Sequence, residues 1–520
     1  LGIKRETKSL TYNVQQIGGD EVAKAKDMNV MSSLAGKVAG VNINASSSGI
    51  GGGARVVMRG TKSISGNNNA LYVVDGVPLA NISGEQPDDQ YTGAGQSGDG
   101  LANFNADDIE SISVLSGSAA AALYGSAAAN GVVLITTKKG AVDKTRLTYS
   151  NNSTFYSPFR LPEFQNTYGS ETGEWYSWAS KLSSPTDYEV KDFFQTGYNV
   201  ANTVSLTTGT QKNQTYVSVG AVNARGIIQN NDLDRYNFSV RNTTSMLNDK
   251  LTMDLSFMYS NVKEQNMLSQ GEYANPLVPV YLFPRGDDFS KYQYYERYDV
   301  DRNIKTQFWP LKENGLSMQN PYWIAYRNVR TNEKKRYMLN AGLTYDILDW
   351  LNVSARIRVD NTDNTYQQKL YASTISTLTE GSTQGHYTIQ KVNETQTYAD
   401  FMVNINKRID DFTVVVNAGT SLSDNSSDLL GYGGPIRDTG VPNVFNVFDL
   451  DNAKKRATQE GSEEMTQSIF ASAEIGWKSM LYLTLTGRND WASQLKGSNP
   501  TSFFYPSVGL SAVISEMVTL

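Results

Sequence analysis

The sequence contains no cysteine and only one histidine, His386. The first absence excludes disulfide bonds and thiolate metal sites. The second excludes the paired-histidine motif of zinc proteases, and any Ser-His-Asp triad would have to use His386. We expect this histidine at the surface, because it lies in the loop-like stretch GSTQGHYT. The net charge of −6 gives no support to a nucleic-acid partner.

Long apolar runs are also absent. No stretch of about 18 apolar residues predicts a transmembrane helix, and Leu1 is not followed by the apolar segment of a signal peptide. The mean hydropathy of −0.42 leaves two classes open. One is a soluble protein. The other is a membrane β-barrel, in which apolar and polar residues alternate along each strand, so that no long apolar run is needed.

The first 140 residues are rich in glycine and alanine and predict a compact mixed α/β domain. NVMSSLAGKVAG (29–40) has apolar residues at helical spacing, and an alanine-rich helix capped by Ser118 and closed by Gly125 follows later. In LYVVDGVPL (71–79) the Asp75-Gly76 step predicts a hairpin turn. We expect LYVVDGV to be the central strand of the domain, with the loop from Val77 to Asn81 facing outwards.

From about Lys144 the pattern changes to long strands with alternating apolar and polar residues, as in KLTMDLSFMY (250–259). About twelve such segments are present. Short connections at 211–213, 248–249, 349–350, 410–411 and 478–480 alternate with long ones at 158–200, 225–234, 265–333, 366–392, 424–464 and 491–502. This parity is typical of an outer-membrane barrel with short periplasmic turns and long extracellular loops. Trp350 and Trp477, beside short turns, fit an aromatic girdle or the edge of a core.

The size of the first domain bears on the barrel. A compact domain of this length has a radius of about 18 Å. Twelve tilted strands close to a radius of roughly 12 Å and twenty-two to about 22 Å. We therefore expect a membrane β-barrel of about 22 strands when complete, about 12 of them in this chain, which would be part of a longer protein. The expected domains are 1–140, inside the lumen, and 141–520.

Several motifs resemble one family. Arg59-Gly60, LYVVDGVPL and DDIESISVLSGSAAAALYGSAAANGVVLITTKKG (107–140) resemble the plug domain of TonB-dependent outer-membrane transporters. The DGVP form, GRNDWASQL (487–495) and FFYPSVGLSAVISE (503–516) look like the SusC/RagA subfamily. The motifs occur in the order and spacing of that subfamily.

The resemblance implies active import of an oligomeric nutrient, a glycan or an oligopeptide, across the outer membrane of a Gram-negative bacterium. The implied partners are a SusD-like surface lipoprotein that closes as a lid, TonB acting through a box expected before Leu1, and outer-membrane lipid and lipopolysaccharide. A dimer of transporter–lipoprotein pairs is also implied. The alternative is a passive porin or surface-binding barrel without energy coupling, which would have no need of the first domain.

No catalytic set is recognisable, and we expect no enzyme activity, cofactor or metal. Residues 49–54 satisfy the dinucleotide fingerprint GxGxxA, but a strand-like ARVVMRG follows where a helix is required, so a structural turn is favoured. The pairs Asp88-Asp89 and Asp107-Asp108 could act as acid/base pairs or cation ligands, although adjacent aspartates in loops are more often simply solvated.

Polar loops of the first domain are the candidates for binding cargo, because amide and carboxylate groups hydrogen-bond sugars and peptides. The predicted ligand residues are Asn67, Asn68, Asn69, Asn81, Asp88, Asp89 and Tyr91, and each could equally be a solvated loop residue. Aromatic residues in YQYYERY (292–298) and PYWIAY (321–326) suit sugar rings or a lid. For plug retention or gating we predict Arg59 and Asp75, with Arg59 pairing with inward-facing carboxylates of the barrel.

Overall fold

The computed structural model describes residues 14–24, 29–45, 49–64, 68–79, 91, 100–115, 124–185, 188–269, 271–311 and 319–517. In the described residues of the N-terminal domain, the structure shows the helix α1 (Gly19–Lys24) and seven strands. The strands are β1 (Val14–Gly18), β2 (Val41–Ala45), β3 (Ala54–Met58), β4 (Leu71–Val74), β5 (Val77–Pro78), β6 (Ile109–Leu115) and β7 (Val132–Thr137). Strands β2 and β3 form a hairpin, and the other five form a sheet in the order β1-β6-β7-β4-β5.

This order corrects one expectation. The central strand of the small sheet is β7, which pairs antiparallel with β6 and parallel with β4. Strand β4 lies one place nearer the edge, where it forms the Asp75-Gly76 hairpin with β5. The hairpin itself was predicted, because the Asp-Gly step is a local signal, whereas the strand order depends on long-range pairing.

The stretch 29–40 is also different from its prediction. It contains only a single 3₁₀ turn, Ser32–Leu34, although Val30, Leu34 and Val38 are buried as the helical spacing suggested. Gly36 and Gly40 have φ of +75° and +73°, a backbone conformation that an α-helix cannot contain. The alanine-rich helix predicted from Ser118 falls largely on residues 116–123, which lie outside the described residues.

Twelve antiparallel strands form the second sheet, in which each strand pairs with its neighbours along the chain. They are β8 (Arg146–Tyr156), β9 (Gly197–Gly209), β10 (Asn213–Arg225), β11 (Asp232–Met246), β12 (Leu251–Gln265), β15 (Asn328–Leu348), β16 (Leu351–Tyr371), β17 (Gly385–Ile409), β18 (Phe412–Pro435), β19 (Arg456–Trp477), β20 (Leu481–Ala492) and β21 (Phe503–Ala512). The predicted number of about twelve strands is confirmed.

The two faces of the large sheet differ in polarity. In β16 the apolar outer residues run from Leu351 to Val359, which is close to the nine to eleven residues that a membrane strand needs. Large apolar side chains such as Leu339, Ile357 and Phe401 are 47–49% exposed on this face. The opposite face carries arginine, aspartate, serine and asparagine and contacts the N-terminal domain. The protein is thus a membrane β-barrel wall with a mixed α/β domain on its inner side.

The sheet bends around the N-terminal domain. Asn105 reaches Thr203 on β9, near one edge of the sheet, with a hydrogen bond of 3.2 Å. A Cβ added to Gly125 would contact Asp490 and Arg488 on β20, near the other edge. Ten strands spaced about 4.8 Å apart would be too wide for one small domain to touch at both ends if the sheet were flat.

The connections between the twelve strands are alternately short and long, and the longest fold into structures of their own. They contain the hairpin β13 (Glu296–Asp299) and β14 (Ile304–Gln307), and the helices α2 (Leu277–Tyr281), α3 (Pro321–Arg327) and α4 (Ser376–Thr379); α5 (Ile514–Met517) follows β21. Several strands extend further than predicted, since β17 begins at Gly385 and β18 ends at Pro435. In these extensions polar and apolar residues do not alternate, so the sequence pattern did not identify them as strand.

Among the described residues, no helix is long and apolar enough to cross a membrane.

Candidate functional site: the contact between the N-terminal domain and the barrel wall

The barrel wall holds the N-terminal domain at the Asp75-Gly76 turn. Both turn residues have positive φ, +50° and +83°, as tight hairpins of this kind require. Arg358 of β16 donates hydrogen bonds to the carbonyl oxygens of Val74 and Val77, at 2.6 and 3.1 Å. Its side chain is fully buried and also bonds to the amide oxygen of Asn340. One guanidinium group therefore binds the backbone on both sides of the turn.

A second arginine on the same strand reaches the turn itself. Arg356 donates to the carbonyl oxygen of Asp75 at 3.2 Å while its other nitrogens hold the carboxylate of Asp400 at 3.1 and 2.7 Å. Because residues two apart on a strand face the same side, Arg356 and Arg358 point together into the lumen. Both lie near the end of β16 that leaves the short turn at 349–350.

The Asp75 carboxylate is the third part of the contact. It accepts hydrogen bonds from the backbone nitrogen and hydroxyl of Thr137, at 3.0 and 2.7 Å. It also forms an ion pair with Arg241 of β11 at 3.1 Å. Arg241 in turn makes a bidentate contact with Asp254 at 2.9 and 2.7 Å. Asp75 thus joins two strands of its own domain to two strands of the barrel.

A second set of contacts lies nearer the long connections. There the segment 100–105 presents carbonyl oxygens to the wall. Arg336 donates to Gly100 at 2.6 Å, Arg235 to Ala102 at 2.5 Å, and Asn237 to Asn103 at 2.6 Å. The interface is therefore built mainly from side-chain donors of the barrel and backbone acceptors of the domain. Apolar contacts across it include Met258 and Met338, and Ile50 of the N-terminal domain, which packs among barrel residues such as Leu233 and Val262.

Asp108 forms another anchor between the domain and the wall. Its carboxylate accepts hydrogen bonds from the hydroxyls of Tyr216, Ser218 and Ser239, at 2.9, 2.6 and 2.7 Å. Burial raises the pKa of Asp108, and the three hydroxyl donors only partly oppose this effect. The sequence suggested an acid/base or cation role for the Asp107-Asp108 pair as one possibility. The geometry instead makes Asp108 a structural acceptor between the domain and the wall.

The raised pKa of Asp108 predicts a pH dependence of the domain's stability. The folded state binds the Asp108 proton more tightly than the unfolded state, so the stability should fall as the pH rises from the ordinary carboxyl pKa through the folded value. Asp108→Asn is expected to flatten this part of the profile. Amide exchange of the domain between pH 4 and 8 would measure it; an unchanged slope in the variant would count against the assignment.

The predicted ligand residues lie in two different environments. Asn68 is buried, and its amide group bonds to the backbone of Lys62 and Ser63, which closes that loop. Asn69 beside it is partly buried. Tyr91 is 42% exposed and stacks on Tyr273 of the long connection between β12 and β15 at 5.4 Å. Asn67, Asn81, Asp88 and Asp89 lie outside the described residues. A cargo contact at any of the seven stays a prediction.

Of the two predicted retention residues, Asp75 occupies the centre of the contact. Arg59 is exposed, and among the described residues no carboxylate pairs with its side chain. Its role in retention stays a prediction. The expectation that Val77 begins a loop facing outwards is wrong as far as Leu79. Val77 and Leu79 are 3% and 2% exposed. Leu79 packs in the apolar core of the N-terminal domain, and Arg358 of the wall binds the carbonyl oxygen of Val77.

The aromatic stretches of the long connections are not the open platforms that the sequence suggested. Tyr292, Tyr322 and Trp323 are 7%, 6% and 1% exposed. The first two pack with Tyr188, Phe283 and other rings into a small apolar core of the connections. Burial also raises the pKa of Tyr292 and of Tyr322 to about 12. Only Tyr294 and Tyr298, 82% and 60% exposed, remain available to a partner.

Two further expectations have clear outcomes. His386 is buried and not at the surface as expected, because the neighbouring connections fold over the start of β17. It is 5% exposed, and its Nε2 atom lies 3.2 Å from Glu380.

The glycine run at 49–53 is a turn followed by strand β3, as the structural interpretation required, with φ of +85° and +79° at Gly49 and Gly51. Within the described part of the chain, no cluster of three or more histidine, aspartate or glutamate side chains could hold a metal ion.

The inward arginines of the barrel were missed in the sequence. A signal existed, since Arg356 and Arg358 alternate with the apolar Ile357 in SARIRVD and must share the polar face of their strand. The sequence could not show that their partners would be carbonyl oxygens of a turn that lies 281 and 284 residues away.

Comparison with known proteins supports this arrangement. The family profile of the TonB-dependent receptor plug domain matches residues 6–132. The chain is 30% identical to TonB-dependent receptor SusC of Bacteroides thetaiotaomicron over 327 residues, which cover 60% of this chain and 31% of that protein. TonB-dependent receptor P26 of Formosa agariphila is 24% identical over 99% of this chain and 50% of the relative. The chain thus spans half or less of these relatives.

Solved structures agree on the fold. The RagAB peptide transporter has a TM-score of 0.75 at 18% identity, with 99% of this chain and 59% of that chain covered. A ferric enterobactin receptor of Pseudomonas aeruginosa gives 0.56 at 15% identity, with 98% and 61% covered. Taken together, the plug profile over residues 6–132, the SusC relative and the seated N-terminal domain make the chain similar to the TonB-dependent receptors of the SusC/RagA type.

Proposed function

We propose that the protein imports an oligomeric nutrient across the outer membrane of a Gram-negative bacterium, with energy delivered through TonB. The observation that carries this proposal is the polar contact between the plug domain and the wall at the Asp75-Gly76 turn. Hydrogen bonds from Arg356 and Arg358 to carbonyl oxygens can be exchanged for water when the domain moves. Water cannot replace apolar contacts in this way. A polar contact therefore suits a plug that must leave the wall and return to it.

We infer transport rather than catalysis or passive diffusion. A plug domain, residues 1–140 in our division, on the inner face of a wall formed by 141–520 blocks a pore that a passive porin would leave open. The apolar outer band of the strands suits an outer membrane with its lipid and lipopolysaccharide. We further propose that the complete barrel has about 22 strands, since the twelve present cannot close around the plug.

A lid is the proposed partner on the side of the long connections. A SusD-like surface lipoprotein would need exposed aromatic and apolar groups there, as protein interfaces prefer. Three exposed rings suit this purpose, with exposures of 60–91%: Tyr298 on the β13–β14 hairpin, Tyr294 just before it, and Phe448 in the connection between β18 and β19. A dimer of transporter–lipoprotein pairs is the assembly we propose for the whole protein. Its cargo would be a glycan or an oligopeptide.

Loss of TonB coupling tests the proposal. Cells producing the full-length protein are grown on candidate glycans or peptides as the sole nutrient, with and without TonB. We expect cargo to bind at the surface in both strains and uptake to fall to background without TonB. A strain with intact TonB but without the lipoprotein gene separates the lid from the energy source. Uptake that continues without TonB would favour the passive porin instead.

A further inference from the structure

A cluster of hydrogen-bond acceptors lies on the inner wall next to the plug, on the side of the long connections. Gln396 of β17 pairs across the sheet with Asn425 of β18, and Asn425 pairs with Glu464 of β19. Glu394 lies two positions along β17 from Gln396 and therefore faces the same side. These four residues, which we call the acceptor cluster, line a cavity of about 110 Å³. Strand β17 begins at Gly385, at the end that joins one of the long connections. The cluster therefore lies on the inner wall below the side from which cargo would enter.

At the base of the cavity, the negative charge of Asp360 is already neutralised by Arg336. Asp360 is held by Arg336 through two hydrogen bonds of 2.8 and 2.6 Å, and a third nitrogen of Arg336 donates to Gly100 of the plug. This arginine is therefore engaged and does not pair with the acceptor cluster. No ion pair is formed by Glu394 or Glu464 within the described part of the chain.

Unpartnered atoms show what the cavity lacks. Gln396 is 6% exposed, yet its side-chain oxygen has no hydrogen-bond partner among the described residues, and the same holds for the side-chain oxygen of Asn425. Buried polar atoms in folded proteins are normally satisfied. The two amide oxygens and the two carboxylates are acceptors, although each amide group also carries an NH2 donor. The carboxylates add negative charge, which Lys334 and Arg336 partly offset at Glu394. The missing complement is a group that carries several donors and a positive charge.

We propose that the acceptor cluster is a binding subsite for a primary ammonium group of the cargo, as carried by the amino terminus or the lysine side chains of an oligopeptide. An ammonium group has three donors, no acceptor and one positive charge, which suits a cluster of amide oxygens and carboxylates. The cavity holds the volume of a few water molecules, enough for such a group and part of its stem. No aromatic ring lines it in the described part of the chain, so the described lining has no stacking surface of the kind that favours a sugar ring. This inference rests on the proposed function, since it concerns the cargo of that transport.

Binding to the full-length receptor in detergent tests the subsite without TonB. Calorimetry is done with trilysine and with trilysine acetylated on all its amino groups. The variant is Glu394→Gln with Glu464→Gln, and the matched control is Glu463→Gln, the neighbouring carboxylate on the outer face of β19. We expect the double variant to bind trilysine at least tenfold more weakly, the control to bind it normally, and the acetylated probe not to bind.

Three results would overturn the subsite. They are no binding of trilysine to the unmodified receptor, equal binding of the acetylated probe, and unchanged affinity in the double variant. Binding of a glucosamine oligomer in place of trilysine would overturn the assignment to peptides. Circular dichroism and the heat shift of the barrel on gels confirm that the variants are folded. Because this assay needs no energy source, its failure is distinguishable from loss of TonB-dependent uptake.

Discussion

Arg358→Ala is expected to lower the free energy of unfolding of the plug by about 3 kcal/mol and to leave the barrel intact. Alanine removes the donor to the carbonyl oxygens of Val74 and Val77, which are buried with the turn. A buried polar group without its partner costs about 1–3 kcal/mol, and two are left here. Amide exchange of strand β4 in the full-length receptor measures the effect. Protection should fall about a hundredfold, since about 1.4 kcal/mol corresponds to tenfold.

Two comparisons make this result specific. Arg358→Lys keeps the charge but has no planar fork, so it should give an intermediate loss. Arg408→Ala removes an exposed arginine from the neighbouring strand β17 and should leave the exchange of β4 unchanged. The heat shift of the barrel on gels shows whether the wall has formed in each variant. Equal protection of β4 in Arg358→Ala and in the unmodified receptor would show that the turn is held by other contacts.

Asp75→Ala is expected to weaken the plug by about 2–3 kcal/mol and to make the outer membrane permeable to large antibiotics. The substitution removes the acceptor of two bonds from Thr137 and one partner of Arg241. Arg241 still forms its ion pair with Asp254 in this variant. The loss of stability is therefore smaller than for a buried charge left with no partner. Alanine also tolerates φ of +50° poorly, whereas asparagine adopts it readily. Asp75→Asn should therefore lose about half as much.

A double-mutant cycle isolates the charge contact in this set. Asp75→Asn and Arg241→Ala are measured alone and together by the same exchange of β4. We expect a coupling free energy of about 1–2 kcal/mol, because the two side chains touch and share Thr137. Strictly additive effects would mean that Asp75 acts only through its own domain. Sensitivity of the cells to vancomycin should follow the order of the exchange results.

Features that depend on local pattern were predictable from the sequence. The alternation in KLTMDLSFMY places Asp254 towards the plug and Phe257 towards the outside, where it contacts Phe238. Asp75-Gly76 forms the predicted hairpin, since a two-residue turn needs only its own residues to specify it. The number of strands followed from the same periodicity, because each strand pairs with its neighbour along the chain.

Features that depend on distant partners were not predictable. The sequence identifies Asp75 as a candidate for retention, but its partner Arg241 lies in a different domain. The exposed Arg59 was expected to pair with inward-facing carboxylates of the barrel. Tyr292 and Tyr322 have the composition of a binding surface, and only the folding of the long connections upon each other buries them. The acceptor cluster is invisible in sequence for the same reason, since three strands contribute to it.

The most direct test of the account is to lock the plug to the wall. A Cβ at Gly220 of β10 would lie 3.4 Å from Cγ of Asn105, so Asn105→Cys with Gly220→Cys places two thiols within reach of each other. The chain has no other cysteine. We predict that the oxidised double variant binds cargo at the cell surface but does not import it, and that reduction restores uptake. Undiminished import with the disulfide closed would contradict a transport mechanism in which the plug leaves the wall.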